Sequence, residues 1–180
     1  MPQRIRRLAP LLAVPLASAC SMWFSTGDNL DYDKLQAQIN DTLAGQYREF
    51  GHTPSDVECP RVKPPPKTGD TFECTATVDG HDDQTVRIEV TVGEEGHVDF
   101  RTLDTLYDLP TAAEKLGEQL TANQGFDVRV DCGEGIKIVA AGQSFDCTAT
   151  DPAGHDRTLR VTAGGVGNDD RWELLPDPTA

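Results

Sequence analysis

Bulky apolar material is scarce in this chain. Aromatic residues are 6% of the total and hydrophobic residues 37%, lean for one large core but adequate for two thin ones, because apolar alternation is strong in several segments. Positive charge is scarce too: 16 Lys and Arg stand against 30 Asp and Glu, a net charge of −14. Such a chain repels phosphates and anionic surfaces, so direct nucleic-acid binding is disfavoured and the acidity reads as solubility outside the cell. Reactive motifs are missing as well. Neither Gly-x-Ser-x-Gly nor Ser-x-x-Lys occurs, so no motif pairs a nucleophile with a base. There is no Cys-x-x-Cys, and His52, His81, His97 and His155 form no His-x-x-x-His pair, which removes the usual metal-ligand spacings. His81 and His155 both sit in Gly-His-Asp and read as polar turn residues. The acidic pairs Glu94-Glu95 and Asp169-Asp170 lack the alternation of a calcium loop and read as solvated turns. Gly164-Gly165-Val166-Gly167, with no lysine after it, reads as a loose hairpin rather than a phosphate loop.

The apolar run from Leu8 to Leu16 is too short to cross a bilayer, and Arg4, Arg6 and Arg7 precede it, so residues 1–19 read as a signal peptide. Leu16-Ala17-Ser18-Ala19-Cys20 resembles a lipobox, in which the cysteine is acylated and becomes the new N-terminus. Ala17-Ser18-Ala19 also satisfies the small-x-small rule of ordinary signal peptidase, which would release a soluble protein. The cysteine count favours the lipid: five cysteines leave one over in an oxidising compartment, and acylation of Cys20 removes that free thiol. Cleavage before Cys20 leaves 13 basic and 30 acidic residues, net −17. Residues 20–30 then form a tether of about ten residues, reaching at most ~35 Å from the membrane.

The most specific signal is an internal repeat. Cys59 and Cys74 are 15 residues apart, as are Cys132 and Cys147, and the two pairs are offset by 73. At that offset Val57, Gly69, Phe72 and Thr75-Ala76-Thr77 map onto Val130, Gly142, Phe145 and Thr148-Ala149-Thr150. Further on, Thr85-Val86-Arg87-Ile88 resembles Thr158-Leu159-Arg160-Val161. Two related modules follow, residues 31–105 and 106–180. Four cysteines allow three pairings, and only Cys59–Cys74 with Cys132–Cys147 keeps each repeat self-contained.

Each module opens with a helical pattern, Leu35, Ile39, Leu43 and Tyr47 in the first and Ala113, Leu116 and Leu120 in the second. Thr111-x-x-Glu114 reads as a capping box, which starts the second helix near residue 111 and leaves Asp104 to Pro110 as the link between modules. Period-two apolar alternation then predicts strands through Val57 to Cys59, Phe72 to Val78, Val86 to Val92 and Val98 to Phe100, and through Val130 to Cys132, Phe145 to Ala149, Leu159 to Val161 and Trp172 to Leu174. The expected fold is α+β: two tandem modules, each with one helix on an antiparallel sheet of about four strands and one disulfide. A bridge over such a loop contributes about 3 kcal/mol on the chain-entropy model.

Val57-Glu58-Cys59-Pro60, Gly69, Phe72-Glu73-Cys74-Thr75-Ala76 and Val86-Arg87-Ile88 resemble the actinobacterial exported family catalogued as domain of unknown function 4333, often found on lipoproteins. Val130-Asp131-Cys132, Gly142, Phe145-Asp146-Cys147-Thr148-Ala149 and Leu159-Arg160-Val161 carry the likeness in the second copy, with Gly133 replacing the proline. The resemblance covers roughly residues 31–175. It implies the fold and the exported address, and no chemistry, because the family has no assigned activity.

The expected function is that of a lipid-anchored cell-envelope protein, a non-enzymatic binding module for an envelope protein or wall component, with no metal, cofactor or nucleic acid. A carrier of an envelope lipid or small ligand is the alternative, and an enzyme ranks last. Candidate binding residues lie in the two connections that differ most between the copies. These are Arg61, Lys63 and Lys67 in a basic, proline-rich loop, and Ile136, Lys137 and Ile138 in an apolar loop.

Overall fold

The structure is a computed structural model that describes residues 30–176 except 80, 95, 96 and 166, and the backbone alone of 6–7, 22–23 and 81–83. The leader core, the lipobox and Cys20 lie outside the described residues. Among the described residues, no helix is long and apolar enough to cross a membrane. The chain divides into two compact units, the first ending at Asp104 and the second running from Thr105.

In chain order the elements are β1 (Arg6–Arg7), β2 (Met22–Trp23), α1 (Tyr32–Tyr47), β3 (Pro54–Glu58), β4 (Thr71–Val78), β5 (His81–Val92) and β6 (His97–Thr102). They continue with β7 (Asp104–Asp108), α2 (Leu109–Gln124), β8 (Arg129–Asp131), β9 (Ile136–Ala140), β10 (Ser144–Thr150), β11 (Asp156–Thr162) and β12 (Arg171–Leu174).

In the first unit the sheet runs β2-β6-β5-β4-β3, with every neighbouring pair antiparallel. Asp31 caps α1 by accepting from the Lys34 backbone N–H at 3.2 Å, and that bond holds its carboxyl below the usual carboxylate range. Leu35, Ile39, Leu43 and Tyr47, one helical turn apart, are all buried, and so are the inward residues of the strands: Cys74, Ala76 and Val78, then Val86, Ile88 and Val90. The helix ends through a 3₁₀ turn at Arg48–Phe50, and Gly51 takes the left-handed φ of 76° that stops it.

The second unit has the sheet β1-β12-β11-β10-β8 and a separate ribbon, β7-β9. Two expectations change here. The second helix starts at Leu109, not near residue 111, because the cap is Asp108: its Oδ1 accepts from the Thr111 N–H at 3.0 Å, and Pro110 occupies the first turn, where a missing N–H costs nothing. Asp104 to Pro110 is therefore a strand leading into a helix rather than a link. The second change concerns Glu134 to Ala141, expected as an apolar loop. Residues Ile136–Ala140 form β9, because β7 supplies a partner strand and Ile-Lys-Ile-Val-Ala is rich in β-branched residues.

Both units carry the expected disulfide, Cys59–Cys74 and Cys132–Cys147, each tying a residue just past an edge strand to the neighbouring strand. Pairing registers then correct the alignment of the units. Cys74 faces Ile88 and Phe72 faces Val90, whereas Cys147 faces Leu159 and Phe145 faces Val161. Leu159 thus occupies the place of Ile88, two residues away from the match that Thr85-Val86-Arg87-Ile88 suggests. A slip of two leaves each side chain on its own face, so alternation alone does not reveal it. Along the next strand Val90 faces Phe100 and Val161 faces Trp172. Two residues before those partners stand Val98 in the first unit and Asp170 in the second.

Candidate functional site

Asp170 is therefore a carboxylate at a core position. Its residue is 1% exposed, as is Val98, so of the pair expected as a solvated turn Asp169 is exposed and Asp170 is buried. Asp170 Oδ1 accepts from the Tyr107 hydroxyl at 2.8 Å and from the Gly164 N–H at 2.9 Å, while Oδ2 is buried with no partner among the described residues. Burial pushes this carboxyl above the usual carboxylate range, and the two donors pull against that rise. Burial likewise drives the Tyr107 phenol upward, reinforced by the Asp170 charge. Gly164 to Asp169 is consequently a pinned turn and not a loose hairpin: a Cβ at Gly164 would collide with the Asp169 backbone. The group sits beneath core side chains, with Phe145 5.0 Å from the Tyr107 ring, which makes it structural.

An ion pair closes the first unit. Arg87 forks onto Asp104, Nη2 to Oδ1 at 2.6 Å and Nε to Oδ2 at 3.0 Å, and the Arg87 backbone N–H donates to Oδ2 at 2.9 Å. The Asp104 side chain is 5% exposed and that of Arg87 42%. Asp104 is thereby fixed at the point where the chain leaves the first unit. Its chemistry is that of a clamp.

Of the residues expected to bind, Arg61, Lys63 and Lys67 are exposed, on a connection bounded by the Cys59–Cys74 bridge. Arg61 lies 5.6 Å over the Tyr32 ring and donates to Asp33 at 3.3 Å, and the Val62 N–H donates to the Tyr32 hydroxyl at 3.3 Å, which ties the start of the loop to α1. Val62 remains 41% exposed. The other trio is split by strand geometry: Ile136 is buried, Lys137 exposed and Ile138 half-buried. Ile136 and Val139 serve the core of the second unit, so an apolar binding loop is not present there.

Sequence reasoning missed a groove of about 800 Å³ in the second unit, lined by α2, β8 and the β10–β11 turn. Counting from the caps Asp31 and Asp108, Ala113 and Gly117 of α2 stand where α1 has Gln36 and Asn40. In the first unit Gln36 Oε1 reaches across to accept from the Cys59 N–H at 3.2 Å. In the second unit those side chains are truncated. A Cβ on Gly117 would lie 3.3 Å from the Val128 carbonyl oxygen, so glycine lets α2 come close to the edge strand. Thr121 Oγ1 accepts from the Val128 N–H at 2.9 Å and holds that contact. Around this floor stand Glu114, Glu118, Asp127 and Asp151, with Arg129 as the one cation of the lining. Asp151 is held below the usual carboxylate range chiefly by the His155 backbone N–H, with the His155 ring 3.1 Å from its Oδ2. His155 is thus a turn residue, as its Gly-His-Asp setting suggests. Among the described residues no group of three His, Cys, Asp or Glu could hold a metal ion.

Residues 15–96 match the sequence family described as Domain of unknown function (DUF4333), a match that covers the helix and most of the sheet of the first unit. No curated protein and no solved structure matches this chain.

Proposed function

We propose that this chain is an exported envelope lipoprotein, anchored through Cys20, whose two units are tandem copies of one non-enzymatic binding module. The reading is supported by the repeated cysteine frame, by the small residues before a cysteine left over from two disulfides, and by the match to DUF4333 over residues 15–96. One observation carries the binding role: in a chain of net charge −14, Arg61, Lys63 and Lys67 are displayed together on a connection stapled by a disulfide. Rigid scaffolds with exposed, chemically distinct loops are where recognition is concentrated. Binding to an envelope protein or wall component follows, with the tether keeping the units near the membrane.

A carrier of a small polar ligand is the second reading, and the groove's volume favours it, since small-molecule sites span roughly 300–1,000 Å³. Its carboxylates do not suit a lipid cargo.

Crosslinking on intact cells, followed by mass spectrometry, tests the binding role. Wild-type chain should capture a defined set of proteins or wall fragments that is lost when Arg61–Thr68 is replaced by Gly-Ser. Unchanged capture would overturn it. Fractionation of Cys20→Ala tests the anchor, because loss of the acyl chains should move the protein from membrane to medium. Equal membrane retention would sink the lipid assignment.

A further inference from the structure

The groove of the second unit and the basic connection of the first unit have opposite charge. We infer that the groove takes the Arg61–Lys67 connection of a second copy of this chain, so that copies associate head to tail. This rests on the binding-module reading and names its partner.

Ala113 and Gly117 stand where α1 has Gln36 and Asn40, and their small size brings α2 against the Val128 backbone to form the floor of the groove. Glu114 and Glu118 then stand one turn apart on the rim, exposed, and like charges at that spacing repel on an isolated helix. Asp127 and Asp151 add two more carboxylates against the one cation, Arg129. A site so charged rejects anions and favours a ligand that brings several cations at once.

The connection offers that ligand. Arg61-Val62-Lys63-Pro64-Pro65-Pro66-Lys67 carries three cations in seven residues of a chain whose whole complement is 16. Its prolines fix φ, so the segment has little freedom to lose on docking. Val62 supplies an exposed apolar contact beside these charges, and Phe126, which precedes Asp127 in the chain, is 46% exposed. The two patches are different surfaces on different units. A contact between them is heterologous, and repetition yields a closed ring or an open chain of copies.

The test uses the purified full-length chain carrying Cys20→Ala, which prevents thiol crosslinking of copies, with mass measured by sedimentation velocity and light scattering across concentration. Association should appear as mass above that of one copy and weaken by more than about tenfold when salt rises from about 50 to 500 mM. One variant reverses the connection (R61E, K63E, K67E) and another the groove (E114K, E118K). Each alone should stay monomeric, since like charges then face one another. Mixed, they should associate again, because each reversed surface meets its complement in the other variant. That recovery also rules out misfolding as the cause of either loss. Wild-type chain that stays monomeric into the millimolar range, variants that associate as wild type does, or a mixture that fails to recover would each overturn the inference. Crosslinking on cells that still captures other proteins while the purified chain is monomeric would overturn self-docking and leave the binding-module reading standing.

Discussion

The Tyr107 hydroxyl donates to Asp170 Oδ1 at 2.8 Å in the core of the second unit, joining residues 63 apart in the chain. Tyr107 lies in the strand just before the α2 cap, and Asp170 holds the place of Val98, so the bond ties the entrance of the helix to the last turn of the sheet. A buried carboxylate with few donors is sensitive to losing any of them. Tyr107→Phe should cost about 1–3 kcal/mol in urea or guanidinium unfolding. It should also move the Asp170 carboxyl further up, because the hydroxyl was pulling it down. An NMR titration in which the carboxyl does not move would contradict the assigned role.

The same group makes a pH prediction with a definite sign. Asp170 is raised above its ordinary value of 3.8, so the folded state prefers its protonated form. Its contribution to stability is fully present below 3.8 and is lost as pH rises through the folded value. Asp146, lowered by Arg160, acts in the opposite sense: its contribution is present above 3.8 and disappears as pH falls through its folded value. Asp170→Asn, neutral at every pH, should therefore gain stability relative to wild type as pH climbs above about 4. A wild-type-to-variant difference that is flat with pH would argue that the carboxylate feels no net burial.

Arg87 and Asp104 should behave as a coupled pair. Arg87→Ala strands a carboxylate that is 5% exposed, and breaking such a pair is costly because a charge stays buried. Since Arg87 itself is 42% exposed, water screens part of the loss, and a cost of about 1–3 kcal/mol is expected. The double variant Arg87→Ala/Asp104→Ala should lose less than the sum of the singles. Additive losses in denaturant unfolding would show that the fork contributes nothing of its own.

Two glycines should respond in opposite directions to alanine. Gly45 lies inside α1 with nothing within 4 Å of an added Cβ, so Gly45→Ala should stabilise by about 0.5–1 kcal/mol through helix propensity. Gly164→Ala would press a methyl group into the Asp169 backbone beside the buried carboxylate, and a loss of about 1–3 kcal/mol is expected. Thermal melts of the two variants that shift the same way would contradict the tight turn at Gly164.

Much of the fold was legible because its signals are local. Four-residue spacing from Leu35 to Tyr47 marks a buried helix face, alternation from Phe72 to Val78 marks a half-buried strand, and equal cysteine spacings mark two bridges. The helix start at Leu109 is not legible because Asp108 and Thr111 both have capping chemistry, and backbone geometry chooses between them. Ile136 reads as a loop residue because its partner strand is 28 or more positions earlier and carries no pattern that points to it.

The residues by themselves determined the composition of the two cores, the cysteine frame and the exposed basic connection, since these follow from side-chain type and short-range period. Tertiary structure alone decided three things. It placed Asp170 in the place of a valine, because a two-residue change in hairpin length is invisible to a period of two. It turned Ile136 to Ala140 into a strand, because pairing depends on what lies beside a segment in space. It formed the groove over Ala113 and Gly117, because two small residues become the floor of a groove only where a neighbouring strand stands close enough to wall it.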